Sequence, residues 1–241
     1  FDLAFVPEPG GWNAHWLVEP PENDERLPPV TARFPQPADA SVVKGGVITL
    51  DASASPQAAV GLTFRNWSLD HKDAKPVRVW TSYDGLYAIP RERGRPAFDR
   101  LPAAHDFSFA CEITIEKAGT SGEATLACRL FDGSDSVHAE VSVGPRAGGR
   151  AVLVHDQGGT LASADGVGLE PGRTYRVEFS FVDRRAILAI DGKEVLPPAD
   201  LPAVARRGEV SRPLQLGARG CKIVVREPKL YRDTYYTQYG E

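Results

Sequence analysis

Methionine is absent from the chain, and cysteine and histidine are sparse, with three and five residues in 241. Each scarcity closes off a chemistry. Cys111, Cys128 and Cys221 are too few and too widely spread for a metal knuckle or a disulfide framework. Two readings of them stand. All three are small core hydrophobes, or Cys111 and Cys128, which fall in neighbouring strand-like runs, form a cross-strand disulfide in an oxidising compartment. None of His15, His71, His105, His138 and His155 sits beside a cysteine or in a G-x-S-x-G context, as an activated nucleophile would require. They read as surface or strand-end residues, His138 pointing away from its strand's apolar face and His155-Asp156 closing a strand.

No apolar run approaches the roughly 20 residues of a membrane helix. "FDLAFVPEPGG" has no basic n-region of a signal peptide, and no initiator Met precedes it, so the chain is expected to be a processed piece of something longer. A net charge of −4 provides no electrostatic case for a nucleic-acid partner. Paired carboxylates of the glycosidase kind are missing as well. Glu112 and Glu116 are four apart, but solvated strand-face charge accounts for them.

What is abundant is turn chemistry, with 23 glycines and 20 prolines. Residues 1–45 are punctuated by "VPEPGG", "VEPPENDERLPPV" and "RFPQPAD" and read as an extended, proline-rich segment. Trp12, Trp16 and Phe34 argue that it packs on the body. From residue 46 alternation takes over. In "HDFSFACEITIEK", Phe107, Phe109, Cys111, Ile113 and Ile115 alternate with Ser108, Ala110, Glu112 and Thr114, the period of a strand with one buried face. "GEATLACRLFD" repeats the pattern, and the seven-residue "KAGTSGE" between the two reads as a hairpin loop. "DSVHAEVSVG" turns Val137, Ala139, Val141 and Val143 inward, and "RTYRVEFSFVD" aligns Tyr175, Val177, Phe179 and Phe181. Asp191-Gly192 in "RAILAIDGKEVL" predicts a type I′ hairpin turn. "GCKIVVREPKLYRDTYY" predicts a strand, a break at Pro228 and a last strand with Leu230 and Tyr231 on opposite faces.

A dozen short strands without helical periodicity imply an all-β fold, a two-sheet antiparallel sandwich of the concanavalin A or laminin-G-like jelly-roll type. The expected division is 1–45 as the proline-rich segment, 46–235 as the sandwich and 236–241 as a tail at a junction.

Two ligand classes fit loop residues. "LDHKD" (Asp70, Asp73) and "FDGSDS" (Asp132, Asp135) cluster oxygen ligands for Ca²⁺, although no EF-hand is completed: the twelfth position from Asp132 is Val143, not Glu. Polar turn chemistry without a metal explains the same residues, and no other cofactor is implied. Trp67, Trp80, Tyr83 and Tyr87 fall within about twenty residues and suit a sugar-stacking platform or the capping of the sandwich core. "TSYDGLYA" resembles the Asp-box turn of sialidases but lacks the closing tryptophan and does not recur.

The run "HDFSFACEITI", "VEFSFVDRRAILAIDGKEV" and finally "LYRDTYYT" resembles the lectin- or laminin-G-like insert of some large bacterial type I signal peptidases, notably planctomycete-type ones. The resemblance covers about 140 residues well, from residue 105 onward. It implies a module of a membrane-anchored parent on the extracytoplasmic side, periplasmic or at the cell surface. Its partners would be the rest of that parent and a glycan or protein ligand. Such peptidases use a serine commonly followed by Met, a lysine base and a Gly-Asp-Asn box. Neither a Ser-Met pair nor that box occurs here, so no catalytic residue carries over. Four of the seven tyrosines lie in the last eleven residues, and the resemblance makes Tyr231, Tyr235 and Tyr236 junction residues. Three functions are therefore expected: a non-catalytic module for recognition or spacing, a free-standing carbohydrate-binding module, or a sugar-active enzyme of the concanavalin-like or keto-disaccharide hydrolase type.

Overall fold

A computed structural model describes residues 2–5, 16–17, 41–44, 47–54, 59–64, 76–78, 91–92, 95–96, 102–118 and 124–232. Their regular structure is strand, apart from one 3₁₀ turn at Arg146–Gly148. The strands form two sheets.

The first sheet runs β16 (Lys193–Glu194), β15 (Arg185–Ile190), β14 (Thr174–Val182), β8 (Phe107–Ala118), β19 (Cys221–Arg232), β4 (Val47–Asp51), β3 (Ser41–Lys44). Beside this path, β1 (Asp2–Phe5) pairs with β19 and β17 (Ala199–Asp200) with β15. The second sheet runs β12 (Gly159–Asp165), β11 (Arg150–His155), β10 (Ser136–Val143), β9 (Thr125–Phe131), β18 (Leu214–Arg219), β5 (Ala59–Phe64), β2 (Trp16–Leu17). β13 (Gly168–Leu169) lies parallel to β10, and a separate ribbon joins β6 (Arg91–Glu92) to β7 (Arg95–Pro96). This is the antiparallel jelly-roll sandwich expected from the alternation.

Register explains why the sheets close on each other. On β8 and β14, Phe107 faces Phe181, Phe109 faces Phe179, and Ile113 faces Tyr175. On the opposing sheet Leu126, Cys128 and Leu130 of β9 stand beside Val141, Ala139 and Val137 of β10 and beside Ala218, Leu216 and Leu214 of β18. All of these side chains are buried in one continuous core. Aromatic pairs directly across an antiparallel ladder add about 0.2–1 kcal/mol relative to an Ala–Ala pair. The outer face of the first sheet is solvated. Glu112 is exposed there, and Glu116 pairs with Lys222 at 2.9 Å, as solvated strand-face charges do.

Short pieces of the proline-rich front enter both ladders, β1 on β19, β3 on β4 and β2 on β5.

Two local expectations are corrected. β8 and β9 do not form a hairpin: β8 pairs with β14 and β19, β9 with β10 and β18, so residues 119–123 link one sheet to the other. Cys111 and Cys128 therefore do not lie on neighbouring strands. They project into the core from opposite sheets as free thiols. Pro228 does not end a strand either. β19 continues to Arg232 through a bulge: Arg226 faces Glu112 and Lys229 faces Ala110, so three steps on β19 match two on β8. Glu227 takes φ 46° to absorb the extra residue. A proline inside a central strand survives where the ladder is already interrupted.

The Asp191-Gly192 turn joins β15 to β16 as predicted, with φ 53° and 73°, the left-handed pair a type I′ turn needs. Leu230 is buried and Tyr231, beside Ser108, is half-buried on the opposite face.

Burial sets the chemistry of the thiols. Desolvation pushes Cys111 well above the ordinary thiol value, with the nearby Cys128 adding to it, and raises Cys128 likewise; Cys221 is pushed up to about 12. A thiol reacts as its thiolate, which burial suppresses here. Ellman's reagent at pH 8 should leave all three unreacted in the folded protein and titrate all three in denaturant without reductant; fewer than three in denaturant would reveal a disulfide.

Candidate functional site

The loops at one end of the sandwich meet in a polar cluster. Asp132 follows β9 and Asp135 precedes β10, and the turn between them folds back on itself. Asp132 Oδ1 accepts the backbone N–H of Ser134 and of Asp135, each at 2.8 Å. Its other oxygen accepts Arg184 Nη1 at 2.9 Å, and the same nitrogen reaches Asp135 Oδ2 at 2.7 Å. His155, the last residue of β11, donates from Nε2 to Asp135 Oδ1 at 2.7 Å. His105 donates from Nδ1 to the Asp132 carbonyl at 2.9 Å. Asp106 takes Arg207 Nη1 at 2.9 Å and the Asp183 N–H at 3.0 Å on one oxygen.

Arg184 holds this arrangement at a conformational cost. Asp183 and Arg184 form the two-residue turn between β14 and β15 with φ 50° and 64°. Left-handed backbone disfavours a side chain with a Cβ by roughly 1–2 kcal/mol per residue. The offset is visible: the guanidinium spans two carboxylates, its Nε donates to the Pro202 carbonyl at 2.9 Å, and it lies 5.9 Å over the Phe181 ring. A second clamp is backbone on backbone. The Gly208 N–H donates to the Gly133 carbonyl at 2.8 Å, and a Cβ on Gly133 would fall 2.1 Å from the Gly208 oxygen. Only glycine, here at φ +95°, permits that approach.

A second cluster lies on the outer face of the second sheet, because strand neighbours alternate. Ser136 and Asp156 follow Asp135 and His155 in the chain and point to the other face, where the Arg129–His138 register pair begins a row. Arg129 donates to Ser136 Oγ, to Asp156 Oδ2 at 2.8 Å and to Gln215 Oε1 at 3.2 Å. Gln215 donates to Thr63 Oγ1 at 3.1 Å. His138 donates from Nε2 to Asp156 Oδ1. Thr63, Gln215, Arg129 and His138 thus form one row across β5, β18, β9 and β10, hydrogen-bonded from Thr63 to Arg129 and joined to His138 through Asp156. Beside it the next row is small, Gly61, Gly217 and Ala127. The row is buried: the side chains of Arg129, His138 and Asp156 are 2%, 4% and 5% exposed.

Burial alone would raise the carboxyls of Asp135 and Asp156. For Asp156 the His138 hydrogen bond and the Arg129 charge outweigh it, and for Asp135 the hydrogen bonds from Arg184, His155 and Ser134 do, so both end below 3.8. Burial would lower Arg184, but Asp132 and Asp135 raise it further.

Of the residues expected to hold Ca²⁺, Asp132 and Asp135 are brought together, with the Arg184 guanidinium between them. No group of three or more His, Cys, Asp or Glu arranged for a metal occurs among the described residues. Asp70, Asp73, Trp67, Trp80, Tyr83, Tyr87, Tyr235 and Tyr236 lie outside the described residues. Their flanks do not. Phe64 at the end of β5 is in register with Leu214, and Leu214 with Leu130, so β5 leaves its sheet at the end where the Asp132 turn sits. Val77 donates its N–H to the Val210 carbonyl and accepts that of Ala104, each at 2.8 Å, and Arg78 pairs with Glu209 at 2.6 Å. Phe64, Val77, Arg78 and Ala104, the described residues that flank the four aromatic candidates in the sequence, therefore lie at this end.

Nothing local in the sequence marks Arg129 as a buried residue, and Arg184 is marked only by spacing. An arginine at an outward position of a strand reads as solvated, and Asp183-Arg184 lacks the glycine that advertises a type I′ turn. The signal available for Arg184 was spacing: two apolar runs separated by two residues.

No family model and no curated protein matches the chain. Among solved structures it is similar to the VIP36 exoplasmic/lumenal domain in a Ca²⁺/Man3GlcNAc-bound form, with 7% identity over 83% of this chain and 84% of that one and a TM-score of 0.48. It is similar also to alginate lyase A1-II′ of polysaccharide lyase family 7, with 10% identity, 83% and 86% coverage and a TM-score of 0.48. The carbohydrate binding module CBM66 from Bacillus subtilis aligns with 14% identity over 52% and 74%, with a TM-score of 0.38. At such identities the likeness extends to the fold alone.

The lowered carboxyls make a stability prediction. A depressed folded-state pKa contributes stability that is complete above the unfolded value and is lost as pH falls through the folded one. Thermal midpoints should hold from pH 7 down to about 4 and drop below it. Asp156→Asn should cost about 3–5 kcal/mol at pH 7, because Arg129 stays buried without that carboxylate. The penalty should shrink as acid protonates Asp156 in the parent protein. A penalty that does not change between pH 7 and pH 2 in urea titrations would contradict this.

Proposed function

We propose that the chain is a non-catalytic recognition module that binds a glycan at the end of the sandwich closed by the Asp132–Arg184 cluster. The observation that carries this is the coincidence at one end of a rigid, ion-paired rim and the described residues that flank Trp67, Trp80, Tyr83 and Tyr87 in the sequence. Pyranose rings present C–H faces that stack on aromatic rings, and a site of this kind needs its aromatics held by a scaffold that does not move. The ion pairs suit support better than turnover. Asp132, Asp135 and Asp156 already accept from arginine, histidine or backbone N–H groups on both oxygens, and Glu116 is paired on a solvated face.

Its setting is read from the sequence resemblance: an extracytoplasmic domain of a signal-peptidase-like, membrane-anchored parent, with Tyr231, Tyr235 and Tyr236 at the junction. Coding sequence on either side supplies the check. A Ser-Met pair upstream and a Gly-Asp-Asn box downstream are expected, and flanks without them would remove the parent from the proposal.

Binding is tested by a glycan array followed by calorimetry on the hits. Trp67→Ala or Trp80→Ala should weaken affinity roughly tenfold, about 1.4 kcal/mol, with the unfolding midpoint unchanged. No hit, or hits indifferent to both substitutions, would refute the reading. Accumulation of cleaved sugar in the same incubations would point instead to a sugar-active enzyme.

A further inference from the structure

Edge strands are exposed rows of hydrogen-bonding groups, and proteins guard them with charge, proline or brevity. The first sheet follows that rule at β16, two residues long, both charged and exposed. β12 at the edge of the second sheet does not. It is seven residues long, Gly159-Thr160-Leu161-Ala162-Ser163-Ala164-Asp165, with a single charge at its end and no proline. It pairs with β11 on one side and with no other described strand on the other. Half of its N–H and C=O groups therefore point outward, as every second residue of an antiparallel strand requires.

We infer that β12 is a self-association edge, pairing antiparallel with β12 of a second copy of this chain about a two-fold axis at Ser163. The register follows from the residues. Leu161 is the extra residue of a bulge, since Thr160 and Ala162 face consecutive residues Val154 and Leu153. Ala162–Asp165 is the straight part, paired without interruption to Arg150–Leu153. Centring the axis on Ser163 sets Ala162 against Ala164 twice on the core side, where their β11 partners Leu153 and Ala151 are buried. It sets Ser163 against Ser163 on the outer side and carries the two Asp165 carboxylates to opposite ends, each beside a Leu161. Small residues meet small ones and no like charges face each other. A strand complementary to itself in this way fits a second copy better than an unrelated peptide.

Seven residues of edge pairing bury less than the 1,200–2,000 Å² or so of a stable interface, so the dimer is a weak, concentration-dependent one. Because the axis crosses the sheet, the outer faces of both copies look the same way, while their strand ends, and the polar end clusters they carry, point in opposite directions. This inference does not depend on what the module binds.

Sedimentation velocity over a concentration series should give a monomer–dimer equilibrium, lost in Ser163→Lys, which opposes two ammonium groups at the axis of an exposed position. Ser163→Cys should cross-link to dimer on mild oxidation, while Ser180→Cys, half-buried on the outer face of the first sheet, should not. Burial keeps the three native thiols out of the reaction. A monomer at every concentration, a dimer that survives Ser163→Lys, or equal cross-linking of the two cysteine variants would overturn the inference. So would a monomer that instead takes up an extended peptide along β12.

Discussion

Alternation is the constraint on which the molecule rests. A strand gives one side chain to each face in turn, and here the central strands of each sheet turn one apolar face to the other sheet. Phe107, Phe109, Phe179 and Phe181 from one sheet close on Leu126, Leu130, Leu214 and Leu216 from the other. The same alternation determines what lies outside the core. His155 and Asp156 are chain neighbours, yet one serves the end cluster with Asp135 and the other serves Arg129 on the outer face. One strand end thereby ties both polar clusters together.

The end cluster is costly to build, and its economy explains its form. Buried carboxylates are tolerated only when charge and hydrogen bonds replace the lost water. Arg184 does this for two of them at once, and its left-handed turn is the geometry that aims it. Gly133 and Gly208 bring the neighbouring loop close enough for Arg207 to reach Asp106. These contacts fix the loops at that end to one another.

The fold was legible because most strands show one wet face. Val137, Ala139, Val141 and Val143, or Tyr175 through Phe181, declare themselves by spacing alone. Pairing was less legible. Period 2 says that β8 and β9 are strands but not that they belong to different sheets, since a loop of a few residues serves a hairpin or a sheet-to-sheet link equally well. Pro228 misled for a related reason: a proline removes one ladder bond, and only the neighbouring strand's register reveals a bulge that makes the loss harmless. The site was half visible. Asp132 and Asp135 stand out locally as a cluster of oxygens, but their cation, Arg184, lies 49 residues beyond Asp135. Local patterns do not encode contacts across such separations.

The order of strands has a kinetic meaning. β19 lies between β8 and β4, and β18 between β9 and β5, so the middle of each sheet is supplied by residues 214–232. Until a ribosome has released that stretch, β4 and β5 have no neighbour to bind on their inner sides, and β8 and β9 each lack one. Nascent chain must therefore wait with open ladders and exposed leucines and phenylalanines, the situation in which contacts of high sequence separation make closure slow and chaperone protection valuable.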